Sequence, residues 1–214
     1  MRAAWRRPWH FAVVKIATAF HDSDNVRQPR MSNIVPISRD PPGALHRTLR
    51  AATRSDHMDV DRLIDRLDLT RREDYGRLLS IHHAVLQDLK SEWRAEDRED
   101  FRAMSRRLQN DLRALGFPTA NPRSLSRAPL APGSQLGIAY VIRGSRLGAS
   151  VLRPRVPLQF SASYLDFVPA LSWIQFLGQL QGVSKAELAE TSNTAIRGAK
   201  ITFELFSRLL TQTP

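Results

Sequence analysis

Apolar residues recur at helical spacing from Ala44 onward. Leu45, Leu49, Ala52, Val60, Leu63 and Leu67 form one stripe, which predicts a helical segment with a single buried face. In "LTRRED", Thr70 reads as an N-cap followed by first-turn acidic residues. The helix it would start, "YGRLLSIHHAVLQDLKSEW", runs to about Trp93, and a further one over "EDFRAMSRRLQNDLRALG" ends at Gly116, a C-cap. A proline-bearing loop then leads to a helix from about Ser134 to Leu152. An apolar helix is predicted around "YLDFVPALSWIQFLGQL", bent or broken at Pro169, and a last helix from Ser184, opened by a Ser184–Glu187 capping box. No segment alternates with the period of a strand, and no internal repeat is found. The expected fold is all-α, a single helical domain over residues 44–214.

Residues 1–43 differ from the rest. Arginines precede a short apolar stretch, as in a signal peptide, but Lys15 interrupts it and no small-residue cleavage site follows. A polar, proline-rich linker comes next. Met31 is an alternative start, with residues 1–30 then an over-extended reading frame. This region is read as a disordered or extended tail without function.

Composition narrows the classes. No apolar run reaches the length of a membrane span. With no cysteine, disulfides and thiolate metal sites are excluded, and a cytoplasmic location is expected. The net charge of +11 raises nucleic-acid binding. Only four of the 32 basic residues are lysine, however, and the arginines are scattered, as a GC-rich coding sequence would scatter them. No nucleic-acid partner and no membrane partner is expected.

His57 carries the candidate chemistry. It falls at the edge of the apolar stripe, beside Thr53, Val60 and Ile64, where an imidazole can reach a pocket from a stable helix. Asp61, four residues on, is placed to hold Nδ1 and leave Nε2 free for a metal. Arg50, two turns back, suits a carboxylate on the rim of a flat cofactor. Read singly, each has a plainer account: a half-buried structural histidine and two solvated boundary charges. His82 and His83 are adjacent in mid-helix and point apart, so they do not share a metal.

In "YVIRGSRLGASVL", Gly144 and Gly148 sit one turn apart, at about 1 kcal/mol each against alanine. Close helix packing would explain them. So would a flat ligand lying against bare backbone, with Tyr140, Gly144 and Gly148 as one stripe.

Three segments together resemble a known family. "LRAATRSDHMDVDRL" is similar to the proximal helix of haem oxygenases, "YVIRGSRLGASVL" to their distal helix and "TAIRGAKITFELF" to their last helix. The likeness is in particular to the bacterial, biliverdin-producing, phytochrome-associated branch, and it spans about Ala44 to Leu210. It implies a helical bundle with haem held between a proximal and a kinked distal helix. It implies His57 as the axial iron ligand, Asp61 as its hydrogen-bond partner and Arg50 on a haem propionate. Thr53, Val60, Tyr140, Ile196 and Phe203 would line the haem pocket. Gly144, Ser145 and Gly148 would be the catalytic positions, acting through backbone and ordered water.

The implied activity is oxidative cleavage of haem to biliverdin, CO and ferrous iron, with O2 and an external electron donor, a ferredoxin- or flavin-type reductase. Biliverdin would then serve as a bilin chromophore for a bacterial phytochrome. Three positions depart from the pattern: Ser145 stands where many members carry aspartate, Arg143 where the branch leads one to expect glutamate, and Ala149 where a further glycine is usual. A non-catalytic haem carrier or sensor is the rival. Tyr140, Arg146 and Arg197 are candidates for the second propionate.

Overall fold

Two short amphipathic helices begin the fold, α1 (Ala44–Ala52) and α2 (Arg54–Ile64). We describe residues 43–119, 130–131, 133–182 and 188–212 of a computed structural model. The apolar stripe does not run on one unbroken helix: Thr53 interrupts it, buried, with Oγ1 donating to Leu49 O at 2.8 Å. A side chain that bonds its own preceding turn offers the backbone an alternative to helix, and the chain bends there.

α3 (Arg72–Asp88) starts one residue later than a Thr70 cap would give. The Thr70 amide and hydroxyl both donate to Asp68 Oδ1, at 3.1 and 2.6 Å, so Asp68 organises the turn. The Asp68 amide in turn donates to Asp74 Oδ2 at 2.9 Å. After Asp88 the chain continues as a 3-10 turn (Lys90–Glu92), and a second one (Ala95–Asp97) leads into α4 (Arg98–Ala114). Gly116, at φ 74°, closes α4: the Phe117 amide donates to Leu112 O (2.9 Å) and that of Gly116 to Arg113 O (3.0 Å), a Schellman motif.

α5 (Ser134–Leu152) occupies the predicted span. Beyond it the expected apolar helix forms only in its second half, after a break that includes Pro169. Residues 157–172 are irregular, and helix resumes only at α6 (Trp173–Gln181), where Ser172 and Gln175 form a reciprocal capping box. The reason lies on α4. The fully buried Asp111 carboxylate accepts from Ser161 Oγ, Ser163 N, Ser163 Oγ and Tyr164 N at 2.6–3.1 Å. Asp100 accepts from the amides of Ala170 (2.8 Å) and Leu171 (3.2 Å). Two carboxylates thus satisfy backbone donors that a helix would otherwise consume. The chain ends on α7 (Leu188–Thr211); the Ser184–Glu187 capping box lies outside the described residues.

The described residues are all-helical, with seven α-helices and no strand among them, and belong to one unit, Pro42–Pro214. α7 is central: α1, α2, α3 and α5 all pack on it, while α3 also pairs with α4 and α1 with α6. Leu45, Leu49, Leu79, Phe101, Leu108, Ile138, Ala195 and Phe206 are nearly or fully buried in this core. Each large apolar side chain so buried contributes roughly 1.5–3 kcal/mol. No helix among the described residues is long and apolar enough to cross a membrane.

Candidate functional site

α2 and α5 both lie on α7, yet share no extensive contact with each other. His57 is on α2. Its ring meets Phe203 of α7 edge-on, centroids 5.7 Å apart, and its Nδ1 lies 3.4 Å from Asp61 Oδ2. The His57 side chain keeps 45% of its surface exposed, which leaves the ring accessible from outside the core. Burial pushes the Asp61 carboxyl up; the His57 imidazole pulls it back down, and Asp65 pushes it further up.

The glycines on α5 divide into two kinds. A Cβ on Gly137 would lie 1.7 Å from Ala195 O, and one on Gly198 of α7 would lie 2.0 Å from Ser134 O. Close packing of α5 on α7 therefore uses Gly137 and Gly198. A Cβ on Gly144 would instead make ordinary contact, 3.8 Å, with Trp173, and one on Gly148 would meet nothing within 4 Å. Helix packing requires neither Gly144 nor Gly148. Their backbone forms a ledge that faces open space at Gly148.

The neighbouring end of α5 is aromatic. Tyr140, one turn before Gly144, stands beside His46 (6.0 Å between centroids) and Trp173 (5.6 Å). Its hydroxyl is in hydrogen-bonding reach of Thr53 and close to the Arg50 guanidinium; burial raises the phenol's pKa, and both of these lower it. Arg50 and Tyr140 thus come together, with Arg50 exposed on α1. His46 Nδ1 is buried without a hydrogen-bond partner, and burial, then the charges of Arg50 and Arg47, lower the imidazole's pKa.

Other predicted residues are placed as follows. Val60 is buried in the core, Ile196 is partly buried against it, and Phe203 is buried with its ring on His57. Arg146 turns inward, donating to Tyr164 O (2.8 Å) and Leu165 O (3.0 Å), with its guanidinium over the Tyr164 ring. Arg146 Nε and NH1 are buried without a hydrogen-bond partner, while Arg197 is exposed on α7. Ser145 donates to Ile142 O at 2.7 Å and lies within reach of the Tyr164 hydroxyl, which is 2.8 Å from His82 Nδ1. His83 contacts Gln109 instead, so the adjacent histidines do point apart.

Three features went unread in the sequence: Trp173, the buried His46 Nδ1 without a hydrogen bond, and the buried group around Arg143. Arg143 Nε donates to Asp97 Oδ1 (2.7 Å), and its NH1 to Asp100 Oδ2 (3.0 Å) and Leu171 O (2.7 Å).

Among the described residues no group of three or more His, Cys, Asp or Glu side chains could hold a metal ion. A surface cavity of about 480 Å³, bordered by Arg72, Arg113 and Phe160, touches none of the predicted site residues. No protein-family model matches this chain, and no curated protein matches it.

Proposed function

We propose that this chain is a haem oxygenase, binding haem and cleaving it to biliverdin, CO and ferrous iron with O2 and reductant electrons. The observation that carries the reading is the open space before Gly148, on a helix whose packing glycine is Gly137. Glycine there costs helix stability and returns no protein contact, which fits a flat ligand lying on the backbone.

The residues present suit haem. His57 would hold it, with Nδ1 directed to Asp61 and Nε2 left for iron. Arg50 and Tyr140 would meet a propionate. Once bound, haem supplies the iron that activates O2 and is itself the substrate. The chain's own residues would orient it: Gly148 leaves one face open beyond Trp173 at Gly144, and Phe203 steadies the His57 ring on the other. An external ferredoxin- or flavin-type reductase would provide electrons, and a bacterial phytochrome would be the fitting acceptor of biliverdin. The cysteine-free composition suits the cytoplasm.

A second reading, a haem carrier or sensor without turnover, has one observation in its favour: Ser145 offers no carboxyl group and its proton is spent on Ile142 O. Addition of haemin, then ascorbate or reduced ferredoxin in air, separates the two. Loss of the Soret band with growth of biliverdin absorbance is expected. A stable Soret band under reductant supports the carrier, and no haemin uptake rejects both.

A further inference from the structure

We infer that Trp173 is the wall that sets how a flat ligand seats along α5, and thereby which edge of the macrocycle is presented for cleavage. This rests on the haem reading above. The ledge is asymmetric. At Gly144 the indole stands one van der Waals layer away, with Cη2 and Cζ3 each 3.8 Å from where a Cβ would be, whereas at Gly148 nothing lies within 4 Å. A rigid planar ring can slide toward Gly148 but is stopped toward Gly144.

The wall is firmly held. Trp173 is the first residue of α6, directly after the Ser172 cap, whose amide donates to Gln175 Oε1 at 2.9 Å. The two residues before that cap are tied down: the Ala170 and Leu171 amides donate to Asp100, and Leu171 O accepts from Arg143. Arg143 is also the residue immediately before Gly144, so one buried guanidinium fixes ledge and wall to the same point. Tyr140 and Phe176, with ring centroids 5.6 and 5.7 Å from Trp173, pack against the indole. Steric exclusion by an anchored ring discriminates between orientations of one ligand by about tenfold or more.

The test compares wild type, Trp173→Ala and Trp173→Phe. Haemin affinity is followed by Soret titration, and seating by the pattern of hyperfine-shifted haem methyl resonances in the ferric cyanide complex. The biliverdin isomer ratio is a third readout. Wild type should show one dominant methyl pattern. Trp173→Ala should retain haemin uptake and gain a second pattern, raising the minor orientation about tenfold, with the isomer ratio moving in parallel. Trp173→Phe, a smaller ring on the same anchor, should lie between them and guards against an alanine variant that does not fold. An unchanged methyl pattern in a folded, haem-loaded variant overturns the inference alone. Loss of uptake in a folded variant also overturns it, because Trp173 would then be a binding residue and not a wall. Failure of wild type to take up haemin overturns the functional reading, and this inference falls with it.

Discussion

Gly137 and Gly198 sit on opposite sides of the α5–α7 crossing, and each needs its hydrogen. An added methyl would be driven to 1.7 Å from Ala195 O in the first case and 2.0 Å from Ser134 O in the second. Backbone carbonyls cannot move aside as flexible side chains can, so the two helices must separate. Gly137→Ala and Gly198→Ala should each lose about 3 kcal/mol or more in urea unfolding, at the upper end of overpacking costs. A loss below about 1 kcal/mol would show that the crossing is looser than described.

Gly148 should behave in the opposite way. A methyl there meets nothing, so Gly148→Ala gains helix propensity and should raise stability by about 0.5–1 kcal/mol in the ligand-free protein. Gly148→Leu, which projects a side chain into the same space, should stay folded and lose most haemin uptake. Normal uptake by the leucine variant would mean that the ledge is not where haem lies.

His57 is half-exposed and Asp61 also keeps 39% of its side-chain surface, so their removal should barely disturb folding. His57→Ala is expected to stay within about 1 kcal/mol of wild type while losing the spectrum of histidine-ligated haem. Asp61→Asn should keep the ligand and weaken haemin binding by roughly 10- to 100-fold, the usual effect of losing an imidazole's orienting partner. An unchanged spectrum in His57→Ala would remove the proposed ligand.

Arg143 is 3% exposed between Asp97 and Asp100, which are 0% and 7% exposed. Arg143→Ala would leave the buried Asp100 carboxylate with no cation and Asp97 with Arg94 alone. Breaking such a group costs about 3–5 kcal/mol, measurable by chemical denaturation. Arg143→Glu, which installs the residue expected at this position from the family likeness, should be worse still and prevent folding at neutral pH. A well-folded Arg143→Glu variant would refute the account of this cluster.

These residues also show where sequence reading reached and where it stopped. The Ser134–Leu152 helix and the Gly116 terminator follow from periodicity and local chemistry, and both occur where expected. The irregular stretch 157–172 does not, because the groups that hold it are Asp100 and Asp111, some 50 to 70 positions away. For the same reason Arg143 was legible only as a departure from the glutamate that the family likeness leads one to expect, since its partners Asp97, Asp100 and Leu171 lie 28 to 46 positions away. Gly137, Gly144 and Gly148 share one helical face at spacings of seven and four. Nothing local separates a packing glycine from a ledge glycine; only the neighbouring helix does. Asp61 was legible beside His57 because both lie on one turn of α2, whereas Trp173 reaches Gly144 from another element.

His82 makes the stability of this fold sensitive to acid. Burial, then the nearby Arg146 charge, pushes its pKa down from 6.5 to about 3, so the folded ring stays neutral and bonded to the Tyr164 hydroxyl. In the unfolded chain the same ring takes a proton as pH falls through 6.5. The unfolded state therefore binds more protons between pH 6.5 and 3, and stability should fall across that window as pH decreases. The slope contributed is at most about 1.4 kcal/mol per pH unit, the value for one proton. His46 and His83, also lowered by burial, act in the same direction. Urea midpoints at pH 7.5, 6.0 and 5.0 should decline for wild type, and His82→Gln should remove about one proton's worth of that decline. Equal slopes for the two proteins would show that His82 is protonated in the folded state, and that its bond to Tyr164 is not the neutral one described.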